Sequence, residues 1–167
     1  MARVDIRCST IYGLAGEARN TDRLRFLVPV KAIHIRPPES SQLHSLETVR
    51  AVAGKGLEGD RFFFEEGAKP GLALTLIDEA VVADVGLQPG ETRRQVTVSG
   101  VEIPDLIGKR FRVGDVECYG VEICEPCRHL QDLTRPGIIM DLLHRGGLNA
   151  DILTDGFVSV GDDVVVM

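Results

Sequence analysis

The sequence predicts a mainly β fold, and three observations favour it. Eight or more short apolar or alternating segments follow one another at close spacing. Two tight-turn pairs, Gly114-Asp115 and Asp155-Gly156, separate neighbouring segments in the manner of hairpins. Few stretches have helical spacing, whereas a doubly wound sheet needs helices between most strands. The pattern is therefore typical of a closed or nearly closed β-barrel with two or three short inserted helices.

The predicted strands begin after a region of different character. Residues 1–26 carry several arginines and show no sustained period of 2 or 3.6 residues, so we expect a mobile or loosely packed extension. From residue 27 apolar segments follow closely, and no linker divides residues 27–167, which we interpret as one barrel domain. The predicted strands are Leu27–Ile35, Glu47–Ala53, Phe62–Phe64, Ala73–Ile77, Arg93–Ser99, Lys109–Val113, Val116–Ile123, Leu148–Leu153, Phe157–Val160 and Val164–Met167.

Two segments have the signals of short helices. Asp78 is a suitable N-cap for a helix over Asp78–Val85, which Gly86 ends. Apolar residues recur at helical spacing over Ile138–Arg145, before a glycine pair. A third short helix is expected to start near Pro126, because proline suits the first helical position.

Composition excludes several classes of function. The chain has 167 residues and a net charge of −6, which argues against a general binder of nucleic acid or anionic membranes. No apolar run approaches the roughly 18 residues that a membrane span needs. The N-terminal residues show no apolar signal sequence. The four cysteines (Cys8, Cys118, Cys124 and Cys127) are too few for a disulfide scaffold, so we expect a reducing cytoplasm.

The pair Cys124-x-x-Cys127 is the first candidate site, and its spacing leaves several interpretations open. A zinc site would need His129 and His144 at irregular spacing, and a haem attachment would need histidine where Arg128 stands. Cys127 follows a proline at an expected helix start and precedes two basic residues, which favours a thiolate. The alternatives are a reactive or ligating Cys127 and two inert buried thiols.

Two arginine-containing segments are candidates for binding an anion. The glycine-rich loop Gly56–Arg61 is too short for a dinucleotide fingerprint, but it can bring backbone N–H groups near an anion with Arg61 as the charged partner. Arg93 and Arg94 open a strand after Pro89-Gly90, a second place where a guanidinium could meet phosphate. The alternative is that these arginines lie at strand ends and are simply solvated, without binding an anion.

Taken in order, these segments resemble a known family. The succession VPVKAI, GKGLEGDRFFF, ALTLIDEA, PGETRRQVTVSGVEI, DLIGKRFRVGDVE, GVEICEPCRHL and RGGLNADILTDGFVSVGDDV is similar to the MOSC domain from about Leu27 to Met167. That domain occurs at the C-terminus of molybdenum-cofactor sulfurases, in small free-standing bacterial proteins and in the amidoxime-reducing component. The resemblance implies a β-barrel that binds the molybdenum cofactor, a molybdopterin-type pterin with molybdenum, or carries sulfur destined for it.

The resemblance also implies roles for individual residues. Cys127 matches the family's cysteine, as molybdenum ligand and catalytic group or as persulfide carrier. The other matched or neighbouring positions would bind the cofactor, although Gln95 replaces the usual asparagine and Ala32 replaces a serine beside Lys31. These cofactor-binding candidates are Lys31, Gly59, Asp60, Arg61, Arg93, Gln95 and Arg128.

Three functions follow from the resemblance. The chain would be a molybdenum-dependent oxidoreductase that reduces a small N-hydroxylated or related N–O substrate, a non-catalytic carrier of sulfur or cofactor, or a barrel whose motifs are relics. Neither a desulfurase domain nor an iron–sulfur motif is present in the sequence. The partner would therefore be an external electron donor or a sulfur-donating desulfurase, with no nucleic acid or membrane involved.

Overall fold

Alternating burial along the chain produces the strands. In β1 (Val30–Ile35), Ile33 and Ile35 are buried on either side of the less buried His34, and Val30 is also buried because the strand shifts register between Val30 and Ala32. In β8 (Val116–Ile123) the same alternation buries Val116, Cys118 and Gly120. Successive side chains of a strand point to opposite faces, so each of these strands contributes one row of side chains to the core.

The computed structural model describes residues 28–167, and they form strands with three short α-helices and a 3₁₀ turn at Ile103–Leu106. The prediction about residues 1–26 lies outside the described residues. The helices are α1 (Glu79–Asp84), α2 (Arg128–Leu133) and α3 (Ile138–Asp141). The remaining strands are β2 (His44–Leu46), β3 (Thr48–Val52), β4 (Gly56–Leu57), β5 (Leu74–Asp78), β6 (Val96–Val98), β7 (Arg110–Val113), β9 (Leu148–Ile152), β10 (Gly156–Ser159) and β11 (Val164–Val166).

The strands pair into two sheets. The larger has the order β11-β7-β8-β9-β5-β6-β1-β2, and the smaller has the order β10-β3-β4. β5 and β6 pair in parallel, with Leu76 opposite Val96. A parallel pair needs a crossover connection, and the segment containing α1 supplies it. Hairpins such as β7–β8 join antiparallel neighbours.

The large sheet curls strongly into a half-barrel, so the prediction of a mainly β fold with short helices is confirmed, whereas a closed barrel is not shown. The two ends of the curl approach each other near the start of β1. Val30 N donates to Asp162 O at 2.8 Å, and Val164 N donates to Val28 O at 2.8 Å. Between these bonds only an isolated bridge, Pro29 to Asp163, is assigned in residues 28–167, so the described strands do not form a continuous closed ladder.

Two apolar clusters hold the elements together. The main core lies between the sheets and includes the fully buried Ile33, Leu57 and Phe111. A smaller cluster joins Leu130 of α2 and Ile138 of α3 to the end of α1. Each fully buried aliphatic side chain contributes about 1.5–3 kcal/mol, so this cluster fixes α2 on the body of the protein.

The predicted helices differ from the observed ones mainly in their ends. Asp78 caps α1 as predicted, because its Oδ1 accepts from Ala80 N at 2.7 Å. The helix predicted over Ile138–Arg145 ends at Asp141, and His144 adopts a left-handed conformation with φ of 61°. Within residues 28–167, none of the helices has the length and apolar character required to cross a bilayer.

The strand predicted at Phe62–Phe64 is not observed. These residues form a turn in which Phe63 N donates to Asp60 O at 2.9 Å, and Phe62 is 47% exposed. The Asp60 carboxylate also accepts from Phe62 N at 2.9 Å. An aspartate side chain that accepts from the backbone N–H two residues later favours a turn over strand pairing. This hydrogen bond explains why a turn is observed where a strand was predicted.

Candidate functional site

A cavity of about 320 Å³ forms where four distant segments of the chain meet. The segments contain the end of β1, the Asp60–Phe62 turn, the Arg93–Gln95 segment before β6 and the Cys124–His129 segment that starts α2. Sheet pairing brings them together, since β6 lies between β1 and β5 in the larger sheet. The cavity therefore includes both anion-binding candidates and the cysteine pair that the sequence indicates.

Four arginines line this cavity, and none of them has a salt bridge to a carboxylate within residues 28–167; Arg94 is described separately below. Arg36, Arg61 and Arg93 contribute guanidinium groups, and the Arg61 guanidinium carbon lies 4.8 Å from the centre of the Phe62 ring. Such stacking on an aromatic face holds a guanidinium in place. In a chain with a net charge of −6, these groups concentrate positive charge in one cleft.

Arg93 is the most unusual of the three. Its φ is 63°, in the left-handed region that L-residues rarely adopt, and its Nη1 is buried with no hydrogen-bond partner among residues 28–167. Burial lowers the pKa of Arg93, and the positive charge of Arg36 lowers that pKa further. The described part of the chain thus leaves Arg93 Nη1 without an acceptor, which is the kind of contact that an anion supplies to a guanidinium.

Asp60 lies in the cavity wall, but its carboxylate is occupied by the protein. Its oxygens accept from Arg36 N at 2.8 Å, from Phe62 N at 2.9 Å and from Gln95 Nε2 at 3.0 Å. Gln95 in turn accepts from Thr75 N at 2.9 Å. Asp60 and Gln95 therefore join the cavity segments to one another, and their free capacity for a ligand is small.

His34 brings a further polar group to the cavity. Its Nδ1 is buried and has no hydrogen-bond partner in the part of the chain that the structure describes, and burial lowers the pKa of its imidazole. A neutral imidazole can donate at one nitrogen and accept at the other, so His34 can contact a polar ligand without adding charge.

Arg94 has a different role from its neighbour, because its guanidinium is bound entirely to backbone carbonyls. Its Nε donates to Gly146 O at 2.6 Å, its Nη2 to Cys124 O at 2.9 Å and its Nη1 to Thr92 O at 3.0 Å. A side chain on Gly146 would not fit, since its Cβ would lie 2.5 Å from Cys124 O. Arg94 thus fixes the backbone of the Cys124–Cys127 loop.

A second contact holds the same loop from outside. The Glu125 carboxylate accepts from His144 N at 3.0 Å and lies 2.8 Å from His144 Nδ1. The backbone hydrogen bond from His144, followed by the side-chain bond, lowers the pKa of Glu125. The left-handed backbone of His144 points its N–H at this carboxylate, so the strained residue and the cysteine loop support each other.

The two loop cysteines occupy different environments. Cys127 is exposed at the cavity and is the N-cap of α2, whereas Cys124 is partly buried. Burial raises the pKa of Cys124, and the positive charge of Arg94 opposes that effect only in part. Both cysteines line the cavity, and Cys127 is the more accessible thiol for a ligand or metal there.

Three predicted binding residues do not reach this cavity with a side chain. Lys31 pairs loosely with Glu79 at 3.9 Å, and the Arg128 side chain is 89% exposed beside Asp132. Lys31 lies five residues before Arg36, roughly 16 Å along an extended strand, so it cannot share the same end of β1. Gly59 contributes a left-handed turn with φ of 83°.

The structure adds residues that the motifs did not indicate. Arg36 and His34 line the cavity because β1 ends there, and Leu72 with Asn149 covers another side. Arg36 is preceded by a strand and followed by Pro37-Pro38, a signal of an exposed strand end at which a cation is available to a ligand.

The described residues do not by themselves build a metal centre. Among residues 28–167, no group of three or more histidine, cysteine, aspartate or glutamate side chains is arranged to hold a metal ion. A thiophilic metal at Cys127 would need most of its ligands from a cofactor, and such a cofactor with a phosphate would fit the arginines. The donor set of the cavity agrees with the molybdenum cofactor.

Comparisons with solved structures agree with the fold described above. None of the curated proteins matches the chain. The YuaD protein from Bacillus subtilis superposes with a TM-score of 0.69 at 16% identity, covering 83% of this chain and 94% of that one. YiiM from Geobacillus stearothermophilus superposes with a TM-score of 0.65 at 14% identity, covering 84% of this chain and 75% of that one. At these identities the likeness concerns the fold alone.

The sequence comparison identifies the family. The profile of the MOSC domain matches residues 73–165, which is more than half of the 167-residue chain and includes β5 to β11 with the cysteine loop. The chain therefore belongs to the MOSC domain family.

Proposed function

We propose that the cavity binds a molybdopterin-type molybdenum cofactor, with Cys127 as the metal-facing thiolate. The MOSC family is associated with binding of this cofactor. The observation that carries the proposal is that Arg93, whose buried Nη1 has no hydrogen-bond partner within residues 28–167, lines the same cavity as Cys127. One cavity thus offers both an anion site and a thiol, the two groups that such a cofactor requires.

Different residues of the cavity would bind different parts of the cofactor. Arg36, Arg61 and Arg93 would hold the phosphate, because charge-assisted hydrogen bonds to phosphate are the strongest that guanidinium groups make. His34 offers a polar contact for the pterin. Asp60 and Gln95 hold the walls of the cavity in place through the contacts described above.

In the enzymatic form of the proposal, the bound cofactor supplies two-electron redox chemistry at an open metal position. Reduction of an N-hydroxylated substrate, R–NH–OH, to R–NH₂ and water consumes two electrons and two protons. The electrons would come from an external donor. His129 lines the cavity beside Cys127, so its imidazole is placed to hold a proton there.

The exposure of Cys127 favours a second function, sulfur carriage. An exposed thiolate can attack the outer sulfur of a persulfide on a desulfurase, which leaves a persulfide on Cys127 and releases the donor as its thiolate. In this form the protein transfers sulfur or cofactor and reduces no substrate.

The test is metal and pterin analysis of protein made in cells that synthesise the cofactor. We expect molybdenum and pterin in equimolar amounts with the chain, and loss of molybdenum in Cys127→Ser but retention in Cys124→Ser. Absence of both molybdenum and pterin from the unaltered protein would overturn the proposal. Reduction of hydroxylamino compounds by the loaded protein distinguishes an enzyme from a carrier.

A further inference from the structure

A second cavity, of about 460 Å³, adjoins the first one. The two cavities share Arg93 and Leu43 in their walls, so the Arg93 side chain lies at their boundary. The cofactor site proposed above uses the first cavity only. A ligand whose phosphate is held at Arg93 would therefore have a further space beyond that phosphate, of a size typical of small-molecule sites.

The walls of the second cavity include apolar surface that a flat ring can cover. Leu43, Leu87 and Leu133 line it, and Leu133 at the end of α2 is 44% exposed. An exposed leucine beside a concave surface loses its contact with water when an aromatic ring covers it, which favours binding of a planar base.

Polar groups accompany the leucines. Ser41 and Gln42 supply a hydroxyl and an amide at one side of the cavity. Glu91 supplies a carboxylate, of which Oε2 accepts from Gln88 N at 2.6 Å. Hydroxyl, amide and carboxylate groups are partners for sugar hydroxyls and base edges. A carboxylate in this position would, by contrast, repel a second phosphate.

The second arginine in the wall of this cavity, Arg135, already has partners within the protein. Arg135 donates to Val85 O at 3.0 Å and pairs with Asp141 at 2.7 Å. Arg93 is thus the cation at the boundary whose Nη1 has no acceptor within residues 28–167. The charges therefore fit a ligand with its phosphate at Arg93 and an uncharged portion in the second cavity.

We propose that the second cavity binds the nucleoside portion of a nucleotide whose phosphate is held at Arg93. The inference rests on the proposed function insofar as the same arginine holds the phosphate of the cofactor. Two sources share this chemistry, a pterin cofactor extended by a nucleotide through its phosphate and a free nucleoside diphosphate.

The first experiment determines what the protein carries. The chain is produced in cells that make both the pterin cofactor and its nucleotide-extended forms, and nucleotides released by acid are quantified against pterin by mass spectrometry. Leu133→Glu places a charge in the second cavity, and Leu153→Glu is the matched control, since Leu153 is also exposed (37%) but lies outside both cavities. We expect equimolar nucleotide and pterin in the unaltered protein, and loss of nucleotide but not pterin in Leu133→Glu alone.

The second experiment addresses a free nucleotide. Cofactor-free protein is titrated calorimetrically with guanosine diphosphate, cytidine diphosphate and inorganic pyrophosphate. We expect at least one nucleoside diphosphate to bind about tenfold more tightly than pyrophosphate or better, equivalent to about 1.4 kcal/mol. Leu133→Glu should remove that difference, while Leu153→Glu should retain it.

The outcomes separate this inference from the proposed function. Pterin without nucleotide, together with equal affinity for nucleoside diphosphates and pyrophosphate, overturns the nucleoside site and leaves the cofactor proposal intact. Preferential binding of a nucleoside diphosphate by a chain that acquires no pterin or molybdenum supports the nucleoside site and overturns the cofactor proposal.

Discussion

Arg93 combines a strained backbone with an unsatisfied side chain, so its two properties can be separated by substitution. A non-glycine residue in the left-handed region costs about 1 kcal/mol relative to glycine. Arg93→Gly should therefore raise the free energy of unfolding of the ligand-free protein by about 1 kcal/mol. Arg93→Ala keeps the backbone strain at φ of 63° and should show no such gain.

Both substitutions remove the guanidinium, so both should weaken anion binding. A charge-assisted hydrogen bond contributes about 1.5–3 kcal/mol, which corresponds to a loss of about tenfold or more in affinity for pyrophosphate. Urea unfolding measures the first effect and calorimetry the second. Unchanged pyrophosphate affinity in both variants would contradict a role for Arg93 in holding the anion.

The cysteines allow a second prediction at this scale, about their order of alkylation. Burial, together with the charges of Asp151 and Glu117, raises the pKa of Cys118 to about 12, and burial also raises the pKa of Cys124. A raised thiol pKa keeps the unreactive protonated form at neutral pH. Iodoacetamide at pH 8 should therefore modify Cys127 well before Cys118 and Cys124, as measured by peptide mass spectrometry.

The pH dependence of alkylation gives the check on this order. Modification of Cys124 and Cys118 should increase only as the pH rises above the ordinary range of a thiol, while denatured protein should lose the difference between the three sites. Equal rates for Cys124 and Cys127 in the folded protein would require their proposed roles to be reconsidered.

At the scale of elements, Arg94 joins the segment before β6 to the loop that starts α2. Replacement by methionine, of similar length, would leave three carbonyl groups without their donor. Each unsatisfied buried group costs about 1 kcal/mol or more, so Arg94→Met should lower the free energy of unfolding by about 3 kcal/mol or more. Urea unfolding measures the loss.

A neighbouring arginine provides the matched control for that measurement. The Arg128 side chain is exposed and pairs only loosely with Asp132, so Arg128→Met should change the free energy of unfolding by about 0.5 kcal/mol or less. The alkylation rate of Cys127 should change in Arg94→Met, because its loop loses an anchor. Equal stability of the two variants would show that Arg94 does not hold the loop.

The Glu125–His144 contact makes the stability of this loop depend on pH. The contacts with His144 lower the pKa of Glu125 in the folded state below its ordinary value near 4.5. The ionised Glu125 carboxylate therefore stabilises the folded protein fully at pH values above 4.5. This stabilisation is lost as the pH falls through the lowered folded value. The stability difference between the unaltered protein and Glu125→Gln should therefore be constant near neutrality and shrink below about pH 4.5.

His144→Ala tests which bond matters more. This variant retains the backbone N–H that makes the largest contribution to the lowered pKa of Glu125, so part of the pH dependence should persist. A stability difference that grows toward acidic pH would contradict the assignment, which chemical unfolding at a series of pH values can determine.

Local patterns were sufficient for most strands, but they missed the short β2 and β4, started β6 three residues too early at Arg93, and predicted a strand where a turn is observed. The hairpin β7–β8 follows from alternating side chains on both sides of Gly114-Asp115, a signal contained within fourteen residues. The Phe62–Phe64 segment is as apolar as a strand, but the Asp60 side chain bonds its backbone and turns it. Apolar content alone does not show this competition.

For the whole molecule, the concentration of arginines in an acidic protein predicts selective stabilisation by anions. A ligand at one hundred times its dissociation constant stabilises the folded state by about 2.7 kcal/mol. For a chain of this length, pyrophosphate at that concentration should raise the midpoint of thermal unfolding by about 5 °C or more. Sodium chloride at the same ionic strength should produce a much smaller shift.

Variants locate the origin of that shift. Arg36→Gln should reduce it, whereas Lys31→Gln should not, because Lys31 lies outside the cavity wall. A pyrophosphate shift that is insensitive to Arg36 and Arg93 but abolished by Lys31→Gln would place the anion at the other end of β1.

The components of the site could be predicted from the sequence better than their arrangement. Cys127, Arg61 and Arg93 lie in recognisable segments, and the structure brings all three to one cavity. Arg36 could not be recognised from the sequence as a residue of the cavity, because its position depends on where β1 ends relative to β6. Lys31 and Arg128 have suitable charges, but strand length and helix exposure place them elsewhere.

The meeting of four distant segments in one cavity has a consequence for the order of events in the cell. The residues that line the cavity run from His34 to Asn149, so the complete cavity can form only after most of the chain has been synthesised. The cavity faces outward at Cys127 and Phe62, so a ligand can enter the finished fold without unfolding it. If the proposed cofactor binds there, its loading would be a late maturation step, and folded protein without cofactor would be the species that receives it.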